Sequence, residues 1–370
     1  MMPPNSFSKK ILILHATAGA GHRKAAEAIY NGFKARGMTS VECVDALEYT
    51  HPFFRKAYTQ GYEFMVGKIP KLWGIFFELT DQEWFQPIFR NTRRFYNGLN
   101  TAPLVRFIKD GRYDVIVTTH FLSTEVCGWL RRTGQINAKF VTIVTDYDVH
   151  KIWNVAGVDL FLVASEFTKG RLVAMGVDDK KVVVTGIPVD EKFIKLRDKR
   201  ETRRMLGLAE DKFTVLVSTS SFGFGPIEEL ATLLRDTQLV IICGNNKALY
   251  DAMVARENPH HKICKFVDNM EELMAASDVM ITKPGGLSIT EALSYHLPLI
   301  FFSAIPGQEA GNVRVLAANG IGISDQSLSE IVSEIKALAS FPDKLQAACQ
   351  VTQKLSRPHS VADIIKQLIS

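Results

Sequence analysis

At 370 residues the chain exceeds the length over which one hydrophobic core keeps growing, so two domains are expected. Apolar residues at 46% and charged residues at 22% lie near globular averages, which excludes a disordered tail, a collagen-like repeat and a multi-span membrane protein. The net charge of +5 is uneven: residues 1–190 hold 24 basic and 18 acidic side chains and residues 191–370 hold 20 and 21, so the first half is suited to an anionic partner.

Short β-branched or apolar runs alternate with helix-like stretches in chain order. The first series of expected strands is 10–14, 41–44, 115–118, 140–145, 160–164 and 182–185. A second series is 214–218, 239–243, 265–267, 279–281 and 299–302. Wholly apolar runs of this length suit parallel strands covered on both faces, and their alternation with helices predicts α/β domains of doubly wound, Rossmann-like type. Loop-to-helix entries after Leu14 and Val217 each open one such unit, with the join in the charged segment 188–212. The expected domains are 1–190 and 191–370, with the last helix returning to the first.

The apolar run at 11–14 is too short for the core of a signal peptide and passes straight into a glycine loop, so it reads as a buried first strand. No run of about 18 apolar residues exists to span a bilayer, and nothing at the start resembles a plastid transit extension. Five widely spaced cysteines without a C-x-x-C pair offer neither a disulfide framework nor a zinc site, which points to a reducing compartment.

Between Tyr49 and Tyr96 the alternation breaks. Fourteen aromatic residues crowd into this interval with Arg55, Lys56, Lys68, Lys71, Arg90, Arg93 and Arg94 against only four acids. Rings interleaved with cations suit a segment lying in an anionic membrane interface; helices packed inside the domain are the alternative. Nucleic acid is not an expected partner, since no motif for it is present and the net charge is low.

Two loops carry the chemistry. The first is HATAGAGH at 15–22, where a strand ending in small residues opens a helix and leaves backbone N–H groups for an anion. A dinucleotide fingerprint would want a small residue where Lys24 stands, and a Walker A loop would want Gly-Lys-Ser/Thr. His22 sits at the expected helix start, which favours neutral imidazole, so it reads as a general base or as a helix cap. The second is SDVMITKPGGLSITEA at 277–292. Here Gly285 and Gly286 let the backbone approach a diphosphate, Ser288 lies in the first turn, and Glu291 is placed to accept from ribose hydroxyls or simply to complement the helix dipole. Downstream, Gln308, Glu309 and Asn312 in IPGQEAGN suit the hydroxyls of a sugar, or form a solvated loop.

Taken together, GAGH at 19–22, TDYDVHKIW at 145–153, TGIPV at 185–189, TKPGGLSITEA at 282–292 and PGQEAGN at 306–312 resemble the diacylglycerol glycosyltransferases of glycosyltransferase family 28. That family includes the monogalactosyldiacylglycerol synthases and the bacterial diacylglycerol glucosyltransferases. The resemblance runs from about residue 10 to about 325. It implies a GT-B fold, two Rossmann-like domains facing across a cleft, the first for acceptor and membrane and the second for the UDP-sugar. It also implies inverting transfer of glucose or galactose from the UDP-sugar donor to the hydroxyl of a 1,2-diacylglycerol acceptor, without a metal or resident cofactor. By motif match His22 is the base, Gly21, Asp146 and Trp153 belong to the acceptor and lipid side, and Asp146 is the next candidate base. Gly285, Gly286, Ser288 and Glu291 hold diphosphate and ribose, Gln308, Glu309 and Asn312 the sugar, Phe266 and Val267 the uracil, with Asn245 in the matching loop. The family's glycine-dominated loop after the first C-terminal strand reads STSSFG at 218–223 here; hydroxyls such as that of Ser220 can replace some of the phosphate contacts, and which donors do so is left open. The implied location is the cytoplasmic face of the cell membrane, bound peripherally to its anionic surface. A UDP-N-acetylglucosamine transferase with a polyprenyl-linked acceptor and a UDP-sugar epimerase are the rival enzymes, and a non-catalytic sugar-nucleotide or lipid-binding module is the remaining reading. Glucose and galactose are left equally open.

Overall fold

Short apolar runs become parallel strands because helices on both sides of the sheet remove them from water. A computed structural model describes residues 9–17, 19–89, 92, 98, 100–195, 197–218, 225–302, 304–322 and 327–370. The chain divides into one compact unit of residues 1–191, 305–312 and 359–370, and a second of 192–304 and 313–358.

In chain order the first unit runs β1 (Ile11–His15), α1 (Ala20–Ala35), β2 (Val41–Asp45), α2 (Pro52–Lys68), α3 (Pro70–Thr80), α4 (Ala102–Gly111) and β3 (Val115–Thr118). It continues through α5 (Phe121–Arg132), β4 (Lys139–Ile143), β5 (Leu160–Val163), α6 (Glu166–Ala174) and β6 (Val182–Val184). All six strands are parallel, in the order β2-β1-β3-β4-β5-β6. The two-residue period of β1 sends Leu12 and Leu14 into one core with Ile116 and Phe140, and Ile11 and Ile13 into another with Val115 and Val117.

The second unit carries α7 (Lys199–Met205), β7 (Thr214–Ser218), α8 (Ile227–Leu233), β8 (Gln238–Ile242), α9 (Lys247–Val254) and β9 (His261–Cys264). Then come α10 (Met270–Ala275), β10 (Val279–Thr282), α11 (Gly286–Ser294), β11 (Leu299–Phe301), α12 (Gln308–Ala318), whose residues 308–312 belong to the first unit, α13 (Leu328–Ser340) and α14 (Pro342–Gln353). Its parallel strands lie in the order β11-β10-β7-β8-β9. The last helix, α15 (Ser360–Ile369), returns to the first unit. Its Val361, Ile364, Ile365 and Leu368 follow helical spacing into the core beside Ala26, Ile29 and Phe33 of α1.

Both halves therefore have the doubly wound α/β architecture expected of them. One strand is displaced: the expected strand at 265–267 is a bend, and the strand is β9, paired Leu239↔His261 through Ile242↔Cys264. As an edge strand it needs only partial burial, so the polar residues of HKIC did not announce it.

The strand order places the loops that matter. In the first sheet β1 has β2 on one side and β3 on the other; in the second, β7 has β8 on one side and β10 on the other. The chain reverses its winding at these points, so the loops leaving the carboxyl ends of adjacent strands diverge and open a crevice. Among the described residues no helix is long and apolar enough to cross a membrane.

Candidate active site

His22 stands at the switch point of the first sheet. The chain leaves β1, turns at Gly19 with φ 104° and ψ 156°, and enters α1 without a side-chain cap. Only glycine adopts that conformation cheaply. The loop after β3 meets it: Thr119 N–H donates to the Leu14 carbonyl at 3.0 Å, and the Thr119 hydroxyl donates to the His22 carbonyl at 2.9 Å. His22 Nδ1 lies 2.7 Å from the Thr119 carbonyl oxygen. A carbonyl only accepts, so Nδ1 carries the hydrogen and Nε2 is left as the proton acceptor. The Thr145 hydroxyl, from the loop after β4, lies 3.0 Å from the same Nδ1.

Burial pulls the His22 pKa down to about 4, with nearby His15 lowering it further and the Thr119 carbonyl opposing. The neutral imidazole expected from the helix N-terminus is thus present, but desolvation is its main cause. His120 packs edge-on against His22 at 4.7 Å between ring centroids. Its Nδ1 accepts from Leu122 N–H, and burial followed by the two neighbouring histidines holds it well below the usual range.

A cavity of about 420 Å³ opens beside His22. Its walls are aromatic: Tyr58 and Tyr62 from α2, Trp73, Phe76 and Phe77 from α3, and Phe121 from α5. Polar side chains enter it through His22, Asp146, Asp148, His150 and Gln308. Trp153, only 3% exposed, also lines it, 6.3 Å from His22 between ring centroids. His150 Nδ1 accepts from Ile152 N–H, so its Nε2 carries the hydrogen and donates to the Phe77 carbonyl at 3.1 Å. That bond fastens the end of α3 over the loop after β4.

Asp146 is the buried carboxylate of the site, 5% exposed. Gln308 Nε2 donates to its two oxygens at 2.9 and 3.1 Å, and Asn312 Nδ2 donates at 3.3 Å. Asn312 Oδ1 in turn accepts from Tyr147 N–H at 2.8 Å. Burial raises the Asp146 pKa to about 6, more than the amide bonds lower it. Residues 305–312 are held against the unit by close packing: an added Cβ at Gly74 would come within 2.4 Å of Pro306, and one at Gly311 within 2.9 Å of Asp148. Glu309 caps its own segment by accepting from Ile305 N–H at 2.7 Å. Burial, then the Glu309 and Asp146 carboxylates, holds the Tyr62 phenol above its usual range.

The second unit presents its own switch point. Lys283, Pro284 and Gly285 lead from β10 into α11, whose N-terminus has no side-chain cap. Gly285 has φ −72°, and an added Cβ would meet nothing within 4 Å, so neither conformation nor packing within the unit requires glycine there. Gly286 begins the helix, Ser288 is half-buried, and Glu291 is buried on the sixth residue of α11. Asn245 is exposed before α9, and Phe266, 49% exposed, and half-buried Val267 lie in the bend after β9. Ser220 lies outside the described residues.

The structure thus gathers His22, Asp146, Trp153, Gln308 and Asn312 in the first unit, with Gly21 beside the base. Thr119 and His120 were not singled out from the sequence, and Thr145 and His150 entered it only as part of the motif at 145–153. Thr119 and His120 directly follow β3 and Thr145 lies two residues after β4, where ligand-facing residues of such sheets gather. Among the described residues no cluster of three or more His, Cys, Asp or Glu is arranged to hold a metal.

The fold is of the GT-B type. Over 97% of this chain and 99% of the other, it matches the crystal structure of MurG from Acinetobacter baumannii with a TM-score of 0.62 at 15% identity. Residues 22–189 match the profile of monogalactosyldiacylglycerol (MGDG) synthase, and residues 224–368 that of the glycosyltransferase family 28 C-terminal domain. The chain is 29% identical to the processive diacylglycerol beta-glucosyltransferase of Bacillus pumilus (strain SAFR-032), covering 98% of this chain and 95% of that one. It is 30% identical to the probable monogalactosyldiacylglycerol synthase 2, chloroplastic, of Oryza sativa subsp. indica, covering 98% and 80%. The chain is a hexosyltransferase. It belongs to the monogalactosyldiacylglycerol synthase family of glycosyltransferase family 28, the diacylglycerol glycosyltransferases.

Proposed function

We propose that the chain moves glucose or galactose from a UDP-hexose to the free hydroxyl of 1,2-diacylglycerol with inversion at the anomeric carbon, making a monoglycosyldiacylglycerol. The observation that carries this reading is a largely aromatic cavity lined also by a neutral His22 whose Nε2 is the proton acceptor. An apolar lining beside such a base suits a lipid with one free hydroxyl.

In this mechanism the lipid hydroxyl attacks the anomeric carbon and gives its proton to Nε2 as the new C–O bond forms. The bond from that carbon to the diphosphate oxygen breaks, and UDP departs with the electron pair. A positioned general base of this kind contributes roughly 10²–10⁴-fold. The uncapped N-terminus of α11, with Gly285, Gly286 and Ser288, is assigned to the diphosphate, where backbone donors stabilise the leaving charge. Glu291 is assigned to the ribose, and Phe266, Val267 and Asn245 to the uracil side. Gln308 and Glu309 are assigned to the hexose. Because Gln308 spends Nε2 on Asp146, its Oε1 is the atom it offers, as an acceptor for a sugar hydroxyl. Asn312 uses both ends of its amide on Asp146 and Tyr147, which makes it a residue that fixes this arrangement.

Membrane attachment belongs to the same reading. Phe53, Phe64, Leu72, Ile75 and Trp84 are exposed on α2, α3 and the turn that follows. Arg55, Lys56, Lys68 and Lys71 lie on the same two helices. Large exposed apolar side chains among cations fit peripheral binding to an anionic bilayer, here the inner face of the cell membrane.

The test offers UDP-glucose and UDP-galactose separately with diacylglycerol in anionic vesicles. Hexose in the lipid fraction from one of them is the expected result. Transfer only to a polyprenyl-linked acceptor, or epimerisation of the nucleotide sugar without transfer, would overturn the reading.

A further inference from the structure

We infer that α3 is a positioning element for the donor sugar: Gly74 and Phe77 on its inner face hold Pro306 and Gly307, and so set Gln308 and Glu309 for the hexose. This rests on the assignment of those two residues to the hexose above. The helix has two faces at helical spacing. Leu72, Ile75 and Leu79 are exposed, whereas Gly74 and Thr80 are buried and Trp73 and Phe77 half-buried. Glycine weakens a helix interior relative to alanine, so Gly74 needs a reason from packing. Pro306 supplies it: an added Cβ at Gly74 would overlap the proline Cβ, with the Pro306 backbone behind it at 3.4 Å. Three residues on, the Phe77 ring lies 2.7 Å from where Gly307 would carry a Cβ. Gly307 has φ 89°, so conformation and packing both demand glycine there.

These contacts close a circuit around the sugar residues. α3 is tied to the loop after β4, His150 Nε2 donating to the Phe77 carbonyl at 3.1 Å and Lys151 N–H to the Asp81 carboxylate at 2.8 Å. The same loop carries Asp146, which accepts from Gln308 and Asn312. Residues 306–312 are therefore gripped by α3 at Pro306 and Gly307 and by Asp146 at Gln308 and Asn312. Gln308 follows Gly307 directly, with no residue between them to absorb a shift. Ordinary contact begins at about 3.5 Å, so a methyl at position 74 drives Pro306 back by roughly 1 Å. Hydrogen bonds weaken steeply with such misplacement, and those from sugar hydroxyls to Gln308 Oε1 and the Glu309 carboxylate are the ones at stake.

The test is equilibrium titration of the full chain with UDP-glucose, UDP-galactose and UDP. Gly74→Ala should weaken binding of the UDP-hexose by about tenfold or more, while UDP, whose contacts are assigned to the second unit, binds within about twofold of normal. Pro306→Gly removes the atom that the new methyl meets, so in that background Gly74→Ala should change UDP-hexose binding by less than about twofold. Phe77→Leu opens a gap at Gly307 instead of a clash and should weaken the UDP-hexose selectively too, which keeps the test alive if Gly74→Ala does not fold. Equal losses for UDP and UDP-hexose would make the contact purely structural, and an equal loss with and without Pro306 would remove the proline from it. Either result, or an unmoved ratio of the two affinities in the folded variants, would overturn the inference. Hexose transfer to diacylglycerol by the unsubstituted chain is measured alongside. A hexose-specific loss without any such transfer would contradict the proposed acceptor, whereas transfer with the affinity ratio unmoved would contradict only this inference.

Discussion

Lowering the pH from 7.5 to 5.5 separates a buried base from an ordinary histidine. Burial holds His22 down to about 4, so at pH 5.5 about 97% of it is still neutral; a histidine at 6.5 would be about 9% neutral. A kcat/KM that depends on neutral His22 should therefore change by less than about 1.2-fold over this interval, against about tenfold for an unperturbed group. Asp146 titrates at about 6 in the same cavity, so the profile is taken in an Asp146→Asn background, whose amide oxygen still accepts from Gln308. The assay follows labelled hexose into diacylglycerol in mixed micelles from pH 4.5 to 8. An acid limb centred near 6.5 would refute the burial argument. The same shift acts on stability: between pH 4 and 6.5 the unfolded chain binds a proton that the folded one refuses. Stability therefore falls as the pH falls through that window, by up to about 3 kcal/mol.

Asp146 has the opposite sign. Its carboxyl is held up from 3.8 to about 6, so the folded chain keeps a proton that the unfolded one gives up, and this contribution falls as the pH rises, opposing that of His22 over nearly the same window. Asp146→Asn should therefore raise stability at pH 7 relative to pH 4 by about 3 kcal/mol more than in the unsubstituted chain in urea unfolding, and an unchanged pH 4-to-7 difference would count against it. Gly19→Ala meets no clash but must hold φ near 104°, which costs about 1–3 kcal/mol; an unchanged unfolding midpoint would show that the entry to α1 relaxes freely. Glu291→Gln should raise KM for the UDP-hexose by roughly 10- to 100-fold through loss of charge-assisted bonds, with little change in the lipid's KM, and an unaltered donor KM would remove Glu291 from the nucleotide site.

The fold was legible because both sheets are built from buried parallel strands, whose wholly apolar runs stand out. β9 did not, because an edge strand tolerates HKIC while the more apolar residues after it turn away as a bend. His22 was legible as a loop-to-helix histidine, since the loop is local in sequence. Its tautomer was not: it is set by Thr119, 97 residues away, whose carbonyl meets Nδ1. Gln308 and Asn312 were visible as closely spaced polar groups, yet their shared attachment to Asp146 spans more than 160 residues and follows from the fold alone. The cluster of rings between Tyr49 and Tyr96 had two readings, interface or packing. On α2 and α3 some rings are exposed, as Phe53 and Phe64 are, and others line the cavity, as Trp73 and Phe77 do, so packing accounts for part of the cluster and the interface reading stays a proposal.

The central claim is that His22 removes the proton from the lipid hydroxyl, and His22→Ala measures it most directly. Hexose transfer to diacylglycerol and equilibrium binding of the UDP-hexose are followed on the same preparation. The account expects kcat lower by roughly 10²–10⁴-fold with donor binding unchanged. Near-normal turnover with the alanine in place would contradict it.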